Sequence, residues 1–161
     1  MSHSLDHIMK PSSVAVIGAS TKPHTIGSDL MKRLIEFSFK GRIYPVNPKG
    51  GMIEGLQAYP SVLDIEGPVD MAVIVVNSKF VLSTIDQCHE KGIKGLVVIS
   101  AGFKESGKEG AEMEAQLYER VKKYGMRCVG PNCLGVVNTH PDVRMDACFC
   151  LLYTSPSPRD R

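Results

Sequence analysis

Five short apolar runs, at 13–17, 42–46, 71–76, 95–99 and 126–129, restrict this chain to a narrow set of folds. They are rich in Val and Ile and too continuously apolar for a sheet with one wet face, so they predict strands covered on both sides. Strands of that kind are parallel, and parallel neighbours need crossover connections of fixed, right-handed sense. The segments between the runs supply them. Leu30, Met31, Leu34 and Ile35 make one apolar stripe on a helix beginning near Gly27, with Gly41 as its stop. Val81, Ile85 and Cys88 make a second, ending before Gly92. Met113, Leu117 and Val121 make a third, opened by the capping box Ser106-x-x-Glu109 and closed at Gly125. Ser61 predicts one further short helix. The fold class expected is α/β, a doubly wound parallel sheet of about five strands, and 161 residues suffice for one domain of that kind.

Sheets of this Rossmann-like type bind ligands beyond the carboxyl ends of their strands, near the point where strand order reverses. The turns after Ile17, Val46, Val76 and Ile99 all fall on that edge, and all are small or polar. The first is the most informative. Val14-Ala15-Val16-Ile17 runs into Gly18-Ala19-Ser20-Thr21, where Gly18 lets the backbone approach a ligand and Ser20 and Thr21 offer hydroxyls. Amides of the helix starting near Gly27 add partial positive charge, so the turn reads as a phosphate site. A plain strand-to-helix turn with no ligand would use the same residues. The dinucleotide fingerprint is incomplete, since Ser20 replaces its second glycine and Gly27 comes nine residues after Gly18. The second strand ends in Asn47-Pro48-Lys49-Gly50-Gly51, without the acid that holds ribose hydroxyls in nicotinamide sites. Lys49 can instead reach a ribose phosphate, which fits NADP or coenzyme A better than NAD. An exposed turn lysine is the plain alternative.

Charge and cysteine content narrow the function classes. The net charge of +2 is too small to argue for nucleic acid, but residues 1–50 hold seven Lys or Arg against three acids, around the phosphate turn. No stretch approaches a membrane span, the N-terminus lacks a secretory pattern, and five irregularly spaced cysteines suit free thiols, so the expected location is cytoplasmic. No His–Cys grouping has metal-ligand spacing. Cys133, in Gly130-Pro131-Asn132-Cys133-Leu134-Gly135, has no basic partner in sequence and reads as shaping its turn rather than as a nucleophile. His89 reads as a surface or packing residue.

Four motifs in order resemble the coenzyme-A-binding domain of ADP-forming acyl-CoA synthetases, the acetate–CoA ligases and relatives of the succinyl-CoA synthetase α subunit. They are Val16-Ile17-Gly18-Ala19-Ser20, Tyr44 through Gly51, Ile99-Ser100-Ala101-Gly102-Phe103 and Gly130 through Gly135, and the resemblance covers about residues 8–149. It implies that Gly18, Ala19, Ser20 and Thr21 hold coenzyme A phosphates and that Lys49 faces the nucleotide phosphates. It further implies that Val76, Asn77, Ser100, Ala101 and Gly102 flank the adenosine and pantetheine arms, with Asn132 and Cys133 nearest the thioester end.

Similar enzymes convert acyl-CoA, ADP and phosphate to acid, coenzyme A and ATP through an acyl phosphate and a phosphorylated histidine. That histidine and the ATP-grasp domain belong to parts this chain cannot contain, so ATP, ADP and Mg would act only through a further ligase domain or subunit. None of His3, His7, His24, His89 or His140 lies in a matching motif, and no catalytic residue is expected here. The alternatives are a stand-alone coenzyme-A-binding regulatory module and an NADP-binding oxidoreductase domain. The organisation expected is a leader at 1–12, the binding domain at 13–140, the start of a connection at 141–150, and a tail at 151–161. That tail, with two Ser-Pro steps, resembles translated adapter sequence and is expected to be foreign and disordered.

Overall fold

The computed structural model describes residues 5–149; the tail at 151–161 lies outside them. Along the chain run α1 (Asp6–Met9), β1 (Ser13–Ile17), α2 (Ile26–Glu36), β2 (Arg42–Val46), a small hairpin of β3 (Met52–Ile53) and β4 (Leu56–Gln57), and a 3₁₀ turn at Val62–Asp64. There follow β5 (Met71–Ile74), α3 (Ser78–Lys91), β6 (Gly95–Val98), a second 3₁₀ turn at Lys104–Ser106, α4 (Lys108–Lys123), β7 (Arg127–Val129), β8 (Gly135–Asn138) and β9 (Met145–Cys148). The five expected strands form one parallel sheet in the order β2-β1-β5-β6-β7.

Alternation along each strand divides the core in two. Ala15, Ile17, Ala72, Ile74, Leu96 and Val98 face α3, α4 and the first 3₁₀ turn. Val14, Val16, Met71, Val73 and Val97 face the other way, onto α2, Ile8 of α1 and the β9 residues Met145 and Ala147. With both faces covered, the central strands can be wholly apolar, as the sequence required. Pro45 is tolerated because β2 is an edge strand, paired to β1 on one side only. On its outer side Tyr59 N–H donates to the Pro45 carbonyl at 2.9 Å and Asn47 N–H to the Tyr59 carbonyl at 2.9 Å, so part of the edge is covered.

Several local expectations are corrected. The box Ser106-x-x-Glu109 does not form: Ser106 closes the 3₁₀ turn, and α4 opens only after Gly107, whose φ of +100° breaks the path into the helix. Gly41 does not stop α2, which ends at Glu36 with the reversal at Ser38 (φ +58°). Gly41 instead passes so close to Ser12 that a Cβ would lie 2.5 Å from its carbonyl oxygen. Ser61 caps a single 3₁₀ turn, with Asp64 accepting from the Ser61 amide at 3.0 Å. The strand expected at 71–76 ends at Ile74, although Val75 N–H still donates to the Ile17 carbonyl at 2.9 Å. Residues 145–148, read as the start of a connection, pair antiparallel with β8 and pack on α2. An ion pair from half-buried Arg33 of α2 to buried Asp146 (3.2 Å) ties them to that helix, at the side of a groove of about 530 Å³ on the flank of α2.

Candidate functional site

Strand order reverses at β1: the chain steps outward to β2 on one side, then returns to build β5, β6 and β7 on the other. The crevice beyond β1 and β5 is therefore the place where such a sheet opens toward a ligand. Along this rim lie the segments after β2, β1, β5, β6 and β7, and hydrogen bonds link them.

Gly18 takes φ +102°, and its N–H donates to the Val46 carbonyl at 3.0 Å. A Cβ there would meet the Val75 carbonyl oxygen at 2.9 Å. Gly27 sits still closer, since a Cβ on it would lie 2.0 Å from the Gly18 carbonyl oxygen. The start of α2 is thus pressed onto the turn, and the amides of Ile26 and Gly27 have no preceding helical carbonyl to bond. Thr25 caps the next amide, accepting from Ser28 N–H at 3.3 Å. The Ser20 hydroxyl oxygen accepts from Lys22 N–H at 3.0 Å, which folds the loop back on itself. Thr21 and Lys22 are exposed, whereas Ala19 is fully buried and offers a ligand no side chain.

Asn47, which the sequence analysis did not single out, ties two rim loops together. Its Nδ2 donates to the Ala19 carbonyl at 2.8 Å, while its Oδ1 accepts from Lys49 N–H at 2.9 Å. An Asn just ahead of Pro-Lys-Gly-Gly is the available signal, because a short amide side chain bonds its own backbone two residues on. Lys49 stands exposed on this loop. Farther along, the Ser100 hydroxyl donates to the Val76 carbonyl at 2.5 Å and the Ser100 carbonyl accepts from Asn132 N–H at 3.0 Å. Gly102 packs so tightly on the start of α3 that a Cβ would lie 2.7 Å from Ser78 Oγ. The structure therefore brings the Gly18, Lys49, Val76, Ser100 and Asn132 segments onto one edge.

Two groups on this edge differ in chemical readiness. Glu105, missed in the sequence, accepts from Gly102 N–H at 2.6 Å and Phe103 N–H at 3.1 Å, and these bonds hold its carboxyl below the usual range. Cys133 is turned inward, with its thiol 3.3 Å from the Val98 carbonyl, and burial raises its pKa. It is a turn-shaping thiol here. Burial pushes Cys128 beside it up to about 12. His89 stacks on Tyr124 at 3.9 Å between ring centroids, which makes it a packing residue. Among the described residues no group of His, Cys, Asp and Glu is arranged to hold a metal, and no helix is long and apolar enough to cross a membrane.

A family model described as CoA binding domain matches residues 12–139. The chain is 50% identical over 159 residues to the α subunit of ADP-forming acetate–CoA ligase I of Pyrococcus furiosus, covering 96% of this chain and 34% of that one. A Pyrococcus horikoshii crystal structure superimposes with a TM-score of 0.85 at 49% identity, over 90% of this chain and 33% of that one. A dinucleotide-forming acetyl-coenzyme A synthetase 1 of Ca. Korarchaeum cryptofilum, solved with phosphate and ADP, gives 0.83 at 44% identity, over 90% and 30%. The chain spans about a third of the length of these relatives.

Proposed function

The chain belongs to the coenzyme-A-binding domain family, and on that premise we propose that it is the coenzyme-A-binding part of an ADP-forming acyl-CoA ligase. The observation that carries this reading is the order of the segments along the rim. From β2 to β7 come Lys49, then Gly18 to Thr21, then Val76 and Asn77, then Ser100 to Gly102, then Asn132 and Cys133. Coenzyme A is itself linear, with a phosphorylated adenosine at one end and a thiol at the other. Five strands spaced at about 4.8 Å give an edge of roughly 19 Å, suited to an elongated ligand.

In this reading the diphosphate lies on the Gly18–Thr21 turn against the first amides of α2, and Lys49 neutralises the ribose phosphate. The backbone of Ala19 and the hydroxyls of Ser20 and Thr21 complete the anion contacts. Val76, Asn77, Ser100, Ala101 and Gly102 line the path between the ends. Asn132, with φ +51°, and Cys133 hold the turn beside the thiol. The fit is physical: Gly18 and Gly27 leave no room for side chains between turn and helix, so the turn lies directly against the first residues of α2. The role of this chain is to bind and orient the thiol or thioester. Acyl-phosphate formation, the phosphohistidine and the ATP-grasp step belong to further domains or a partner subunit, with ADP and Mg.

Calorimetric titration with coenzyme A, dephospho-coenzyme A and NADPH tests this. Coenzyme A should bind tightest, and Lys49→Ala should weaken it about tenfold, as expected for a lost charged contact, while leaving dephospho-coenzyme A unchanged. Equal or tighter binding of NADPH defeats the reading.

A further inference from the structure

We infer that Phe80 is the stacking platform for the adenine of the bound nucleotide, with the Lys79 ammonium covering its ring until the base arrives. The inference rests on the coenzyme A reading above and assigns a residue that none of the four motifs contains.

Phe80 lies in the first turn of α3, three residues after Asn77, whose Oδ1 accepts from Lys79 N–H at 3.2 Å and fixes the helix start at the rim. The residue is 53% exposed, and neither core cluster takes it in. The phase of α3 sets the direction in which it projects. Val81, Thr84, Ile85 and Cys88 face the sheet, and Asp86 faces α4, where it accepts from Arg120 Nε at 3.1 Å and Tyr124 OH at 2.8 Å. At about 100° per residue, Phe80 is turned roughly 120° from Asp86, away from α4. Because α4 serves the β6–β7 side of the sheet, the opposite flank of α3 faces the side of β1 and β2. Phe80 therefore projects, at the rim end of α3, from the flank on the side of the sheet that carries the Gly18 and Lys49 segments. The first 3₁₀ turn, which packs against α3, carries the exposed Leu63.

The ring is already used as a face. Lys79 Nζ sits 4.8 Å from its centroid, a cation over the negative quadrupole. An exposed contact of this kind is weak, and a purine offers the same ring a larger, flatter and partly apolar partner. Displacing Lys79 from the ring would also release a cation at the rim that holds the phosphates. One exchange thus serves both halves of a nucleotide: the base takes the ring, and the ammonium turns to the anion. A pantetheine group has no purine to place there.

The chain contains no tryptophan, so Phe80→Trp creates a single reporter at the proposed platform. Its fluorescence should be quenched on titration with coenzyme A and unchanged with 4′-phosphopantetheine, which lacks the adenosine. In calorimetry, Phe80→Ala should weaken coenzyme A about tenfold, the scale of one lost base–aromatic stack, and leave 4′-phosphopantetheine at parent affinity. An exposed ring is not needed for folding, and circular dichroism checks that both variants keep the parent structure. Unchanged coenzyme A affinity in Phe80→Ala, or an unquenched tryptophan in a variant that still binds, overturns the platform while leaving the coenzyme A reading intact. Absence of coenzyme A binding by the parent chain overturns both. Equal weakening of both ligands assigns Phe80 a structural role and also rejects the inference.

Discussion

Replacing Gly27 by alanine tests the packing that creates the proposed phosphate site. The added Cβ would lie 2.0 Å from the Gly18 carbonyl oxygen and 3.2 Å from Ala19 Cα. Because 3.0 Å is the closest approach a Cβ tolerates, α2 and the turn must separate by at least about 1 Å, and both obstacles are backbone with no rotamer to relieve them. Gly27 has ordinary helical φ, so alanine without the clash would stabilise α2 by up to about 1 kcal/mol. With backbone on both sides the overpacking costs about 2–3 kcal/mol, the upper part of the usual range, and the balance is a loss of about 1–2 kcal/mol. For a domain of this size that corresponds to a fall in Tm of roughly 2–8 °C. The functional effect should exceed the structural one: at a temperature where the variant is fully folded, coenzyme A should bind more weakly because the α2 amides have moved off the turn. Urea unfolding and calorimetry on the same preparation measure both. A variant as stable as the parent or more so, with unchanged affinity, refutes the claim that close contact between α2 and the Gly18 turn builds the site.

Asp146→Asn should destabilise the domain by about 1–2 kcal/mol, read as a lower urea midpoint, because it leaves the half-buried Arg33 guanidinium against an uncharged partner; a midpoint shift within error would show the pair to be idle. Alkaline pH should also weaken the fold. Burial raises Cys88 and Cys128 from 9.0 to about 12, so the protonated thiols stabilise the native state below the ordinary value, and this contribution is lost as pH climbs from 9 toward 12. The urea midpoint should fall across that window, and less steeply in Cys128→Ala; identical slopes in parent and variant would count against a buried thiol as the cause. Lys49→Ala should discriminate coenzyme A from its dephospho form, and Phe80→Trp should report the base, as set out above.

Much of the architecture was legible because it depends on burial. A strand covered on both faces must be apolar throughout, so Val14–Ile17 and the run from Met71 could be read as central strands without coordinates. Glycine at a strand end was equally legible, since Gly18 adopts a conformation that side chains resist. Local hydrogen-bond choices were not. Glu105 reaches back to Gly102 and Phe103 and Ser106 opens no helix, because a left-handed Gly107 intervenes and nothing in the Ser-x-x-Glu pattern reveals it. The β8–β9 pairing escaped notice because its apolar residues cover α2 across a long separation in sequence.

The sequence by itself determined the sheet, the edge on which a ligand can sit and the four motifs that carry the family resemblance, since each depends on residues adjacent in the chain. The tertiary structure alone decided how those pieces meet: Asn47 bonded to Ala19, Gly27 against Gly18, Ser100 between Val76 and Asn132, and the flank of α3 on which Phe80 stands. These contacts join residues far apart in sequence, and their geometry follows from strand order and helix phase, which no local pattern encodes.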